Sequence, residues 1–255
     1  MTKTEAPRGA QAVFRAISIL KAFSPDKPRL TVQELSDRLN LTKTTTHRLL
    51  SVLEGEGLVA RNSLSNTYQL GPAVIALGSQ ALLNSDLRVA ARPWLERLAE
   101  QTKETCTLEL IAGDHVLVLD GIPGKHLVSA YLDIGTRWPL HACSTGKAML
   151  SMMEPRLWDH HIGVNMVGLT EHTIVDRDAF KKELGQAQIN GYAVSVEEVE
   201  PDYVAVGAAF CDSFGHVEGA LSVGGPASRF NRRKIKQLGL LLRDMTKELS
   251  HRHKS

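Results

Sequence analysis

Residues Leu30–Leu58, LTVQELSDRLNLTKTTTHRLLSVLEGEGL, decide how the chain is read. Their spacing predicts two short helices held at a fixed angle. Thr31 stands at an N-cap position with Glu34 three residues on, the two halves of a capping box, so a helix over Val32–Leu39 turns Leu35 and Leu39 inward. The chain turns at Asn40 and Leu41. Thr42 then caps a second helix, with Leu49, Leu50 and Leu53 on one face. Its first turns carry Lys43, Thr44, Thr45, Thr46, His47 and Arg48, which are expected to be exposed, with no acid among them. Threonines and backbone amides hold phosphate, and arginine reads guanine edges, so such a helix suits the major groove of double-stranded DNA. A merely solvated helical pair is the plain alternative.

The next residues extend this reading. Gly55 and Gly57 end the second helix, and two extended runs, 58–61 and 67–70, flank the polar tip 62–66. Together these make a winged helix-turn-helix, with Arg61 and the wing tip near the duplex backbone. An ordinary surface hairpin is the alternative for the wing alone.

Charge is unevenly placed. Residues 1–72 hold ten Lys/Arg against six Asp/Glu (+4), residues 73–228 eleven against twenty (−9), and residues 229–255 nine against two (+7), within a net +2. A basic N-terminal module beside an acidic body is the pattern of a chain that meets phosphate at one end. The cations at Arg229, Arg232, Arg233, Lys234 and Lys236 read either as a solvated face or as a second nucleic-acid contact. With 255 residues, 43% hydrophobic, the chain suits two globular domains of unequal size. No secretory or membrane-spanning run is evident, so a cytoplasmic protein is expected. Cys106, Cys143 and Cys211 are odd in number and lack metal-site spacing, so they read as small buried hydrophobes.

In order, the expected organisation is a leader over 1–10, the winged domain over 11–71, a linker helix over 72–85 and a larger domain over 86–255. A first helix over 11–23 is expected to turn Val13, Ile17 and Leu20 inward, broadened by Phe14 and Ile19. In the linker helix Val74, Leu77, Ala81 and Leu82 form an apolar stripe that a second copy of the chain would cover. The larger domain reads as α+β, with helices against a mainly antiparallel sheet. Its first helix, 86–102, is expected to divide at Pro93. Strands follow over 105–111, 116–121 and 127–132. A loop over 135–143 leads to a helix beginning at Ser144. Asp176 caps another helix, then come strands over 192–196, 204–210 and 218–223 and a final helix over 231–251.

Catalytic signatures are missing. His141, Cys143 and Ser144 lie in HACSTG, without a nucleophile elbow or an evident acidic orienter. His160, His161 and His172 lack metal-ligand spacing. Neither an enzyme, a cofactor nor a metal site is expected.

Taken together, LTKTTTHRLLSVLEGEGLV, TYQLG, PLHACSTGKAML, GYAVSVEEVEPDYVAVGAAFCD and ALSVGGPASR resemble the IclR-type (isocitrate lyase regulator) transcription factors from end to end. The resemblance implies an N-terminal DNA-binding domain, dimerisation through the linker, and a C-terminal effector domain of GAF/PAS-like fold. It also implies dimers or dimers of dimers on the operator, and small organic acids as effectors. Carried over residue by residue, Thr42, Lys43, Thr44, Thr45, His47, Arg48 and Arg61 would meet DNA. The effector's acid group would sit on the amides of Ser144 and Thr145, as helix N-termini favour anions. Its other polar contacts would fall at Ser195, Ala205, Ser222 and Gly224, and the apolar wall at Leu127, Ala130 and Trp138. Trp138 in place of a smaller aliphatic residue, and the loss of polar partners at Ala205 and Gly224, point to an aromatic or otherwise flat acid. On that reading Ser195 and Ser222 supply the neutral donors. The open alternatives are an effector-independent DNA-binding protein and an enzyme using the C-terminal domain.

Overall fold

A computed structural model describes residues 10–24, 26–125, 133–162 and 166–252, which fall into two compact units dividing between Ser85 and Asp86. The first unit contains helices α1 (Gln11–Ala22), α2 (Val32–Leu39) and α3 (Lys43–Gly55). An antiparallel hairpin of β1 (Val59–Asn62) and β2 (Thr67–Leu70) follows, then helix α4 (Pro72–Leu83). Local chemistry sets the helix starts. The Thr31 hydroxyl accepts from the Glu34 amide at 3.2 Å, and the Glu34 carboxylate accepts from the Thr31 amide at 2.7 Å, closing the capping box. Asn40 ends α2 at φ +52°, a left-handed position that asparagine tolerates, and Thr42 caps α3 through the Thr45 amide at 3.2 Å. Ile19, Leu30, Leu35, Leu50, Leu53, Val59 and Tyr68 form the core.

Two expectations for this unit are corrected. Thr46 is buried: its hydroxyl donates to the Thr42 carbonyl at 3.1 Å and accepts from Ser36 at 3.0 Å, pinning α3 to α2. Helix α1 buries Ile19 and Ala22, while Val13, Phe14 and Ile17 are exposed. Apolar residues lie on both sides of this helix, so spacing alone allowed two faces. The face with the small residues Ala16 and Ala22 packs inward. Helix α4 has no buried residue; Ile75, Leu77 and Leu83 all face outward.

The second unit opens with α5 (Asp86–Thr102), β3 (Thr105–Ala112), β4 (His115–Ile122) and β5 (Arg137–Pro139). Next come α6 (Ser144–Met152), α7 (Pro155–His161) and α8 (Arg177–Asn190). The chain ends with β6 (Ala193–Val196), β7 (Tyr203–Cys211), β8 (Val217–Pro226), a 3-10 turn (Ala227–Arg229) and α9 (Arg232–Arg252). The six strands form one antiparallel sheet in the order β5-β4-β3-β8-β7-β6. Helices α5 and α9 touch each other and pack on β3, β4, β7 and β8, whereas α6 and α8 cover Ala193, Ala209 and Ala220.

Contrary to expectation, α5 runs unbroken through Pro93. Proline frees the carbonyl four residues back, and that residue, Val89, is 69% exposed, so water can take the bond. Strand β5 lies within the stretch expected to be loop, pairing Trp138 with Val116. The strand expected over 127–132 lies outside the described residues. Of the cations in the C-terminal run, Arg229 and Lys234 bind the buried Glu104 at 2.5 and 2.7 Å, while Arg232, Arg233 and Lys236 are exposed. No helix among the described residues is long and apolar enough to cross a membrane.

Strand β4 contains a bulge. Glu109 pairs with Val118 but Leu108 with Asp120, so Leu119 is the extra residue, and Val118 and Asp120 face opposite sides of the sheet. Asp120 thereby reaches α5, where Arg88 and Arg92 each meet it at 3.1 Å.

Helix α6 buries Lys147 completely. Its ammonium donates to Glu198 at 2.5 Å and to the Val194 carbonyl at 3.0 Å. Burial, only partly offset by Lys147, raises the Glu198 carboxyl above its ordinary range. Lys147→Met should therefore destabilise the chain by roughly 3–5 kcal/mol at neutral pH, because it strands a buried carboxylate. Glu198 ionises in the unfolded chain above about pH 4.3, so the penalty is present above that pH and fades below it, where the group is protonated in both states. Urea unfolding of both proteins at pH 4 and pH 7 measures it.

Candidate functional site

On the first unit, Thr42, Lys43, Thr44, His47 and Arg48 are exposed and Thr45 is half-buried, all in the cap and first turns of α3. The Thr42 and Thr45 hydroxyls bond each other at 2.9 Å. The side chains of Lys43, His47 and Arg48 have no partner among the described residues. Burial of Thr46 beneath them fixes which side of the helix they leave. Arg61 on β1 donates to Asn66 at 2.8 Å and lies 5.9 Å from the Tyr68 ring centroid, which braces it against the wing.

On the second unit, a cavity lies at the first turn of α6. Trp138, Ser144, Thr145, Ser195, Ala205 and Ser222, scattered along 85 residues of sequence, line it together. Thr107, Glu109, Cys143, Val199 and Tyr203 complete the lining. Leu127 and Ala130 lie outside the described residues. Room for a ligand is about 30 Å³, the size of a water molecule.

The sheet dictates this convergence. Ser195, Ala205, Gly224 and Thr105 form one cross-strand row, and Gly207, Ser222 and Thr107 form the next. Glu109 follows on the same face of β3. Helix α6 comes down onto these rows because two glycines let it: a Cβ on Gly146 would sit 2.2 Å from the Leu140 oxygen, and one on Gly207 2.9 Å from the Thr145 nitrogen. Gly224 serves another purpose. A Cβ there would fall 2.1 Å from the Tyr203 hydroxyl, so the phenol occupies the space that a side chain at 224 would fill.

The polar groups are largely engaged. Ser195 donates to the Ala142 carbonyl at 2.7 Å, so it offers a ligand lone pairs and is not the free donor expected from the sequence. Ser222 bonds Thr107 at 2.6 Å. Thr107 and Thr145 each donate to Glu109 at 2.5 Å, one to each carboxyl oxygen. Burial pushes the Glu109 carboxyl above the usual range, and these two hydroxyls offset it only in part. Sequence reasoning missed Glu109, although the strand carried a signal: Thr105, Thr107 and Glu109 alternate with Cys106, Leu108 and Leu110, a polar face of period two. Cys143 caps α6 within the cavity wall, and burial lifts its thiol to about 12, leaving negligible thiolate at neutral pH. His141 is turned away to the Val167 carbonyl at 3.0 Å. Among the described residues no group of three or more His, Cys, Asp or Glu is gathered as a metal site.

Both units have counterparts among known proteins. Residues 12–63 match the family model of the IclR helix-turn-helix domain, and residues 79–251 that of the bacterial transcriptional regulator IclR C-terminal domain. The HTH-type transcriptional repressor AllR of Escherichia coli is 31% identical over 246 residues, spanning 96% of this chain and 91% of that one. Among solved structures, an IclR-type regulator from a Silicibacter species superposes with a TM-score of 0.83 at 24% identity, covering 96% of each chain. An IclR homologue from Microbacterium hydrocarbonoxydans, complexed with 4-hydroxybenzoate, does so with 0.76 at 22%, covering 95% of this chain and 99% of that one. With both family models matched in the order of its two units, the chain belongs to the IclR family of DNA-binding transcriptional regulators.

Proposed function

We propose that the protein is a ligand-responsive repressor, acting in the cytoplasm, that holds a double-stranded operator through α3 and the wing and releases or tightens it when a small organic acid fills the cavity. The observation that carries this reading is the joint presence in one chain of an exposed, acid-free recognition helix and a cavity at a helix N-terminus. Repression is inferred from AllR, whose likeness runs the length of the chain. In the DNA interface, Lys43, Thr44, Thr45, His47 and Arg48 read or grip the major groove, with Thr42 at the cap and Arg61 on the flanking backbone. Arg48→Ala should weaken operator binding by roughly 1–3 kcal/mol with folding unchanged, if the guanidinium pairs with a base edge. A gel shift at fixed salt is the check, and unaltered affinity removes Arg48 from the interface.

The working unit is a homodimer or a dimer of dimers. Ile75, Leu77 and Leu83 on α4 are 72%, 58% and 74% exposed, and no residue of that helix is buried. A second copy would cover this surface, and two half-sites would bind through an effective concentration that one module lacks. Sedimentation at micromolar concentration should give a dimer or larger. A monomer that still binds its operator tightly rejects the assembly.

The effector reading is an aromatic or flat carboxylate, with its acid on the amides of Ser144 and Thr145, which as first-turn N–H groups lack intrahelical acceptors, and its body on Trp138. The 4-hydroxybenzoate held by a protein of the same fold supports it. A compact acid is the second reading, favoured by the room of about 30 Å³: a benzene ring needs about 150 Å³, so an aromatic ligand requires the walls to part. Trp138→Ala should lower affinity for an aromatic acid by about 1 kcal/mol or more. Calorimetry with 4-hydroxybenzoate, phenylacetate, pyruvate and glyoxylate separates the two readings. Tight binding of the keto acids alone would select the compact one.

A further inference from the structure

Glu109 is the group in the cavity that an acid-binding site leaves unexplained. It is 6% exposed, and among the described residues no lysine, arginine or histidine pairs with it and no backbone amide of α6 bonds it. Among the described residues its partners are the hydroxyls of Thr107 and Thr145, and Thr107 continues to Ser222 at 2.6 Å. The other titratable groups lining this cavity are Cys143 at the cap of α6 and Tyr203 on β7, while Glu104 stands at the near end of β3 and Cys106 turns to its other face. Burial raises the Cys143 thiol, the Cys106 thiol and the Tyr203 phenol, so all three stay neutral. Lys147, the nearest cation on α6, is committed to Glu198 at 2.5 Å, with Glu183 at 3.6 Å, and Glu104 is committed to Arg229 and Lys234. Val118 and Ala220, paired beside Glu109, are apolar.

A hydroxyl has one proton to give, and this fixes the polarity of the chain Glu109–Thr107–Ser222. With Glu109 ionised, Thr107 must donate to the carboxylate and Ser222 to Thr107, so Ser222 turns lone pairs towards the cavity. Ser195 already does so, having given its proton to Ala142. A carboxylate entering would meet lone pairs and a buried negative charge. With a proton on Glu109 the chain reverses: Glu109 donates to Thr107, Thr107 to Ser222, and the Ser222 proton is released towards the ligand.

Resting on the acid-effector reading above, we propose that Glu109 sets the ligand preference of the cavity: an organic acid binds there together with one proton, held on Glu109, which reverses the hydroxyl chain so that Ser222 donates to the ligand. The proton comes from solvent, and the bound pair carries the single negative charge of the ligand. Glu109→Gln has no proton to titrate, and with its NH2 towards Thr107 and its carbonyl oxygen accepting from Thr145 it holds the same polarity at every pH.

Calorimetry with 4-hydroxybenzoate and with pyruvate from pH 5 to pH 8, on the full-length wild type and on Glu109→Gln, tests this. Wild-type affinity should fall with rising pH, approaching tenfold per unit once Glu109 titrates, while the variant keeps its pH 5 affinity throughout. In the wild type alone, buffers of different ionisation heat should report close to one proton taken up per ligand where affinity is falling. Binding that is pH-independent in the wild type, or without proton uptake, overturns the proposal and leaves the effector reading standing. Urea unfolding without ligand is the companion measurement. A carboxyl raised in the fold costs stability above about pH 4.3, so the advantage of Glu109→Gln should grow from pH 5 upward. If that advantage appears and neither acid binds at any pH, the acid-effector reading falls and takes this one with it; an advantage that stays constant with pH overturns the protonation of Glu109 directly.

Discussion

The close approach of α6 to the sheet is the constraint on which the second unit depends. Its first turn lies so near Leu140 and β7 that neither Gly146 nor Gly207 has room for a methyl group. Backbone contact of this kind brings the dipole end of a helix against a sheet face, where the rows of four strands meet it. The small Ala205 leaves cavity, the space at Gly207 and Gly224 is taken by α6 and the Tyr203 phenol, and Trp138 and Tyr203 stand in the wall. Room at the site is therefore a property of small residues on one face of β7 and β8, placed there by strand register.

Among the described residues four acidic side chains are buried in this unit, and they are treated differently. Glu104 has Arg229 and Lys234, Asp120 has Arg88 and Arg92, and Glu198 has Lys147. Each of these three joins elements distant in sequence, as paired buried charges do when they fix an arrangement. Glu109 has two hydroxyls and no counter-charge among the described residues. A carboxyl left that way is costly as a structural tie, which is why it reads as part of a ligand site.

The winged domain was legible in the sequence because its determinants are local: Thr31 with Glu34, Thr42 with Thr45, and the turn at Asn40 act within a few residues. Apolar spacing was less decisive. It placed Leu35, Leu49 and Leu53 correctly, and in α1 Ile19 and Leu20, yet it set Val13, Phe14 and Ile17 inward as well, since a helix with two apolar faces leaves the choice to its neighbours. Strands β3, β4, β7 and β8 could be read from alternation, whereas β5 could not, being three residues that pair only because β4 lies beside them. In the cavity, family resemblance pointed to Ser144, Thr145, Ser195 and Ser222. It did not give Thr107 and Glu109, whose roles depend on a bond between residues 115 apart in the chain. Ser195 could be named but not its partner, because Ala142 reaches it only through the fold.

The bulge at Leu119 makes β4 a strand with two allegiances. Up to Val118 it shows its inward residues to the cavity side, and from Asp120 it shows them to α5, the helix that follows directly on α4. The facing of Asp120 depends on Leu119 being left out of the pairing. Were Leu119 drawn into the ladder opposite Leu108, Asp120 would pair with Thr107, turn to the side of Glu109 and strip Arg88 and Arg92 of their anion. The slip of one residue in pairing thus keeps two acidic groups on opposite sides of a single sheet.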